Sequence, residues 1–170
     1  MAILNSFQRI DRVLPGFPFG NGADGAYSSA TIPTLTKDSC SGTSTSAPLT
    51  SAGSTFANGD VLLIHQTRGT GVGQWEINRV SSGGGSASLT LQTALNYTYT
   101  DSGASQAQAT KIPMYTNVTV ESGTWTNSTW DQNKGGILTF ASNGSVTVTG
   151  TVTSDAKGFR GGSNTEIDPK

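Results

Sequence analysis

The sequence predicts an all-β protein, a small antiparallel barrel or sandwich followed by a short-stranded, solenoid-like β stack. Three observations carry that expectation. Charged residues make up only 12% of the 170, and Ser, Thr, Asn, Gln and 22 Gly supply the polarity instead. Thr-rich runs suit a pleated surface, where the branched Cβ packs well, and Gly, Asn and Ser suit the turns between them. Apolar residues also alternate with polar ones in QWEINRV and ASLTLQTAL, which is the period of a strand. The length fits one ordinary domain or two small ones.

Residues 1–35 read as an N-terminal arm with a first strand. Phe7, Ile10, Val13 and Leu14 fall at the spacing of a short amphipathic helix over 5–14, and Pro15, Gly16 and Pro18 stop it. Phe7, Ile10, Phe17 and Phe19 would be costly in water, so the arm is expected to dock on a neighbouring subunit. Gly20, Gly22 and Gly25 match G-x-G-x-x-G. The context of a dinucleotide site is absent, because PGFPF breaks any preceding strand and the Ser/Thr-rich stretch holding Pro33 opens no helix. A turn followed by a strand around 26–35 is expected. Asn21 and Asp24 offer two oxygen ligands, too few for a calcium loop.

Residues 36–114 read as the barrel or sandwich. Lys37 to Gly53 is expected to be an exposed Ser/Thr loop, with Cys40 a small semi-polar member of it. Asn58-Gly59-Asp60 signals a turn into Val61–Ile64, a continuous apolar run of strand length. QWEINRV sets Trp75, Ile77 and Arg79 on one face and Glu76, Asn78 and Val80 on the other. After the SSGGGS loop, Leu89 and Leu91 share a face, and Tyr97 and Tyr99 follow.

Residues 115–170 change rhythm. YTNVTVESGTWT, GGILTFAS, GSVTVTGTVTS and GFRGG are expected to form short strands of about five residues, each ended by Gly or Asn-Gly. Val118, Val120, Ile137, Phe140, Val146, Val148 and Val152 are placed to stack as ladders. Strands this short cannot bury a face alone, so stacking is expected. A glycine-rich end, GFRGG, closes the stretch.

Taken in order, FANGDVLLIHQTRG, GQWEINRV, SLTLQTALNYTYTDSGASQAQATKIPMYTNVTV and WDQNKGGILTFASNGSVTVTGTVTSDAKGFRGG resemble a β-rich, glycine-punctuated module of bacterial and phage surface and adhesin proteins. In that family a GD-VLLIQ strand, a YEI-V strand and an LTL strand form a compact unit. A VP-Y-NVTV segment leads from it into short strands, and a GFRGG stretch often precedes a glycine-rich tail. The resemblance spans Gly20 to Gly162. It implies an adhesin, tail-fibre part or surface-layer component, and it carries no catalytic residue onto this chain. The chain departs from the pattern by stopping at SNTEIDPK, which favours a short structural subunit over an adhesin whose tip is that tail.

The remaining chemistry narrows the function classes. A net charge of −1 with scattered basic residues leaves no footprint for a phosphate backbone, so no nucleic-acid partner is expected. Val61–Ile64 is far too short to cross a bilayer, and Arg9, Asp11 and Arg12 interrupt any leader-like apolar segment near the N-terminus. One His and one Cys give zinc too few ligands, so no metal or other cofactor is expected. His65 has no G-x-S-x-G elbow to serve and reads as structural. Asp60, Glu76, Glu121 and Asp131 show no spacing that pairs two carboxylates across a groove. No catalytic residue is assigned and an enzyme is not expected.

Aromatic residues are the candidate contact set. Trp75, Trp125, Trp130, Tyr97, Tyr99 and Tyr115 suit either a sugar-stacking surface or a core short of Leu and Ile. Trp125 and Trp130 lie in the polar stretch TWTNSTWDQNKGG and are expected to be exposed binding residues, and Tyr97 and Tyr99 are further candidate binding residues. The resulting expectation is a non-enzymatic virion structural or attachment protein, located on the virion surface, as a decoration, fibre or tail component. The alternative is a bacterial extracellular surface or matrix adhesin subunit, and a weaker one is a polysaccharide-cleaving spike domain. Expected partners are further copies in a homo-oligomer or array, other surface or virion proteins, and a host-surface glycan.

Overall fold

The computed structural model describes residues 20–43, 48–51 and 55–159. The expected helix over 5–14 and the arm residues Phe7, Ile10, Phe17 and Phe19 lie outside them, as does the SNTEIDPK end. The described residues are all-β, with thirteen strands. They form a closed antiparallel barrel and three small parallel sheets.

Six strands close the barrel: β2 (Lys37–Ser41), β3 (Pro48–Ser51), β4 (Val61–Arg68), β5 (Trp75–Ser82), β6 (Ser88–Leu91) and β7 (Gln106–Lys111). Their spatial order is β2-β3-β6-β5-β4-β7, and β7 returns to β2. Every neighbouring pair is antiparallel. Closure leaves no free edge in this unit. Alternation supplies the interior: Leu62 and Ile64, Leu89 and Leu91, and Ala107 and Ala109 point inward with Cys40, Leu49 and Val80. Each large apolar side chain removed from water contributes about 1.5–3 kcal/mol. The expected Ser/Thr loop over Lys37 to Gly53 is therefore corrected. It contains two wall strands, and Cys40 and Leu49 are in the core. Pleating accounts for this, because each strand turns one apolar residue inward, Cys40 on β2 and Leu49 on β3, between polar or small neighbours.

On β5 the inward face is the one carrying Glu76, Asn78 and Val80. Two of these three are polar, and each takes backbone partners from the segment between β6 and β7. The Asn78 side-chain amide donates to Thr93 O at 3.0 Å. The Glu76 carboxylate accepts from Asn96 N at 3.1 and 3.2 Å and from Asn96 Nδ2 at 3.0 Å. Gln66, wholly buried on β4, donates to Thr100 O at 3.0 Å and accepts from Thr100 N at 2.9 Å. Three buried polar side chains thus satisfy a segment with no ladder of its own, as burial of backbone groups requires.

The remaining strands form a parallel stack. β8 (Met114–Tyr115), β9 (Val118–Val120) and β10 (Thr124–Thr126) make one turn, and β11 (Ala141–Ser142), β12 (Val146–Val148) and β13 (Thr151–Thr153) make the next. The turns pair in register at offsets of 27, 28 and 27 residues on the three faces. β1 (Tyr27–Ser29) lies on the far side of β9. The first strand therefore belongs to the stack rather than to the arm, and the barrel is inserted between it and the next turn. The inside of the stack holds Tyr115, Val118, Val120 and Trp125, with Tyr27, Ile32 and Phe140 packed on them. Its corners are tight. A Cβ on Gly150 would meet the carbonyl oxygens of Glu121 and Gly123 on the turn above.

Candidate interaction surfaces

Val146, Val148 and Val152 hold the same inward-facing positions on the last turn that Val118, Val120 and Trp125 hold on the turn before. Val118, Val120 and Trp125 are at most 1% exposed, whereas Val146, Val148 and Val152 are 49%, 53% and 46% exposed. Periodicity puts the valines there, and among the described residues no further turn covers them. Among the described residues β12 pairs only with β9 and β13 only with β10, so within them one side of each carries unpaired backbone N–H and C=O groups. Native edges are usually blunted by Lys, Pro or a bulge. From Gly135 to Ser154 there is neither a charged residue nor a proline. Apolar tips beside an unblocked edge can take up another strand and bury its side chains.

A second surface lies on the outside of β4 and β5. His65 and Trp75 are cross-strand partners, and Trp75 is 48% exposed. Phe159 packs edge-on against His65 with centroids 5.1 Å apart, and Trp130 packs on Phe159 at 5.6 Å. Burial lowers the His65 pKa from its ordinary value, since a charged imidazole loses hydration there. The stretch 127–136 is pinned to the barrel. Gln108 Nε2 donates to Gly135 O at 3.0 Å, Gly135 N donates to Gln108 Oε1 at 2.8 Å, and Lys134 Nζ lies 3.3 Å from Asp38 Oδ1.

The four aromatic residues expected to bind a ligand fall in three places. Trp125 is not in an exposed loop. It is fully buried inside the stack, its indole N–H donates to Ser29 O at 3.0 Å, and Tyr27 and Phe140 pack on its ring. Tyr99 is also buried, in the barrel core, where burial and then the Glu76 charge push its phenol pKa well up. Tyr97 is half-buried against that core, 6.4 Å from Tyr99. Trp130 is half-buried under Phe159, with its indole N–H unpartnered. The four do not meet on one surface.

Acidic residues are likewise dispersed. Asp60 Oδ1 pairs with Lys111 Nζ at 2.9 Å, the buried Glu76 accepts from the exposed Asn96, Glu121 accepts from Ser28 Oγ at 2.8 Å, and Asp131 accepts the N–H groups of Asn133 and Lys134. Among the described residues, no cluster of three or more His, Cys, Asp or Glu side chains is placed to hold a metal ion. The exposed valines escaped sequence reasoning as a surface, although a signal existed: NVTVESGTWT at 117–126 returns as SVTVTGTVT at 145–153. No protein-family model, no curated protein and no solved structure matches this chain.

Proposed function

We propose that the chain is a non-enzymatic structural or attachment protein of a virion surface, a decoration, fibre or tail component acting in assembly or host-surface adhesion. The supporting observation is the end of the stack, where among the described residues the β12 edge is unpaired and Val146 and Val148 are exposed. A protein that remained monomeric in solution would be expected to blunt such an edge. The resemblance of the GD-VLLI, QWEINRV and NVTV segments to surface modules supports a second reading, a bacterial extracellular surface or matrix subunit. Peptide mass spectrometry on purified particles and washed cell envelopes separates the two. Stoichiometric recovery of Trp75- or Phe140-containing peptides in particles supports the virion reading. Recovery only in envelopes or extracellular filaments replaces it with the second. A polysaccharide-cleaving spike is the weakest reading, because its candidate acids are engaged on separate elements. Unchanged halos on host lawns after replacing Asp60, Glu76 and Asp131 singly would remove it.

A further inference from the structure

We propose that the open end of the stack is a self-complementary dimer interface, in which β12 of one copy pairs antiparallel with β12 of a second copy across a two-fold axis at Thr147. The proposal deepens the reading above by naming the partner of that edge, and rests on it only for the expectation that the chain assembles.

Three observations point to this occupant. The edge is unpaired among the described residues, and its neighbours Val146, Val148 and Val152 are about half exposed. The strand reads Val-Thr-Val, the same in both directions. An antiparallel self-pair centred on Thr147 therefore sets Val146 opposite the second copy's Val148, with all four valines on the inward side. Antiparallel neighbours share a face at opposed positions, so the apolar interior would continue unbroken from one copy into the other. No charge lies between Gly135 and Ser154 to be opposed to itself.

The position of the barrel favours a closed pair over a head-to-tail fibre. Leu63 and Ile77 of the barrel pack with Met114 and Ala141 on the β8–β11 face of the stack. A head-to-tail copy would be displaced by three turns, about 14 Å at the spacing of paired strands. Side-mounted barrels on successive copies would then compete for the same space. A two-fold axis through the β12 face instead exchanges the two flanking faces. The β11 face of one copy then lies over the β13 face of the other, and the barrels fall on different sides. Two-fold pairing is also the commonest closed symmetry.

The test uses the full chain and a charge swap at the axis. Thr147 is exposed, so neither Thr147→Lys nor Thr147→Glu should alter the fold, which circular dichroism and the melting temperature check. Sedimentation velocity of the unaltered chain should show a monomer–dimer equilibrium with no larger species. Each charged variant alone should lose at least tenfold in dimer affinity, because like charges face each other directly, and an equimolar mixture of the two should recover the dimer. Thr147→Cys should form a disulfide-linked dimer under mild oxidation, since opposed residues bring their Cα atoms within disulfide range and Cys40 is buried. A chain that is monomeric at all concentrations, one that grows beyond dimers, or a dimer indifferent to charge at 147 would each overturn the proposal. In those cases the edge is covered by another segment, a head-to-tail copy or a different protein. Recovery of the peptides from particles or envelopes is read independently of this result.

Discussion

Val118 and Val146 stand in register on neighbouring turns, 28 residues apart, and only Val118 is buried. The two share a side chain, a strand type and an inward orientation. What separates them is the neighbour on the far side: Val118 has β1 there, and Val146 has none among the described residues. Exposure at 146 is thus a property of the stack's end rather than of the local sequence.

The same logic separates Trp125 from its in-register partner Val152. Trp125→Ala should cost about 3–5 kcal/mol, the usual range for emptying a large aromatic site. Val152→Ala, at a site nearly half exposed, should stay within about 1 kcal/mol. Urea unfolding of the two variants checks the contrast. Equal effects would mean that Trp125 is not part of the core.

Gly150 tests the stack's corners. Alanine there forces a Cβ against the carbonyl oxygens of the turn above, and overpacking of this kind costs about 1–3 kcal/mol. Gly158 has open space at its Cβ position, so Gly158→Ala should leave the melting temperature unchanged.

Cys40 should be chemically silent in the folded chain. Burial, then the nearby Asp101 and Asp38 charges, push its thiol pKa far up, and the thiolate is the reactive form. Iodoacetamide should label it only after unfolding, as read by intact mass. Rapid labelling of native protein would place Cys40 outside the barrel core.

His65 gives a pH dependence of known sign. Its folded pKa lies below its ordinary value of 6.5, so the unfolded chain binds the proton more readily. Its contribution to stability is complete above pH 6.5 and falls as the pH drops below that value toward the folded pKa. Denaturant midpoints measured between pH 7.5 and 5 should decline, and His65→Gln should flatten the part due to this residue.

Much of the architecture was legible in the residues. Alternation in SLTL and the apolar run at Val61–Ile64 announced barrel strands, and the Gly-ended VTV runs announced a stack. Three features were not legible, each for a physical reason. The Ser-rich wall strands β2 and β3 carry too few apolar residues to show a period. The inward face of β5 is mainly polar because Glu76 and Asn78 serve backbone partners far away in sequence. Trp125 looked exposed because its immediate neighbours are polar threonines, yet alternation in Thr-Trp-Thr turns the ring inward and the threonines out. The open end was encoded in a repeat whose second copy replaces Trp with Val.

The place of the barrel in the chain sets a timetable for making the molecule. Tyr27 must wait for Val118, 91 residues later, before β1 has a partner. At synthesis rates of about 5–20 residues per second, that delay is on the order of 5–20 s. Each strand of the last turn, by contrast, meets its template on the turn before as soon as it emerges, so the stack is slow to start and quick to extend.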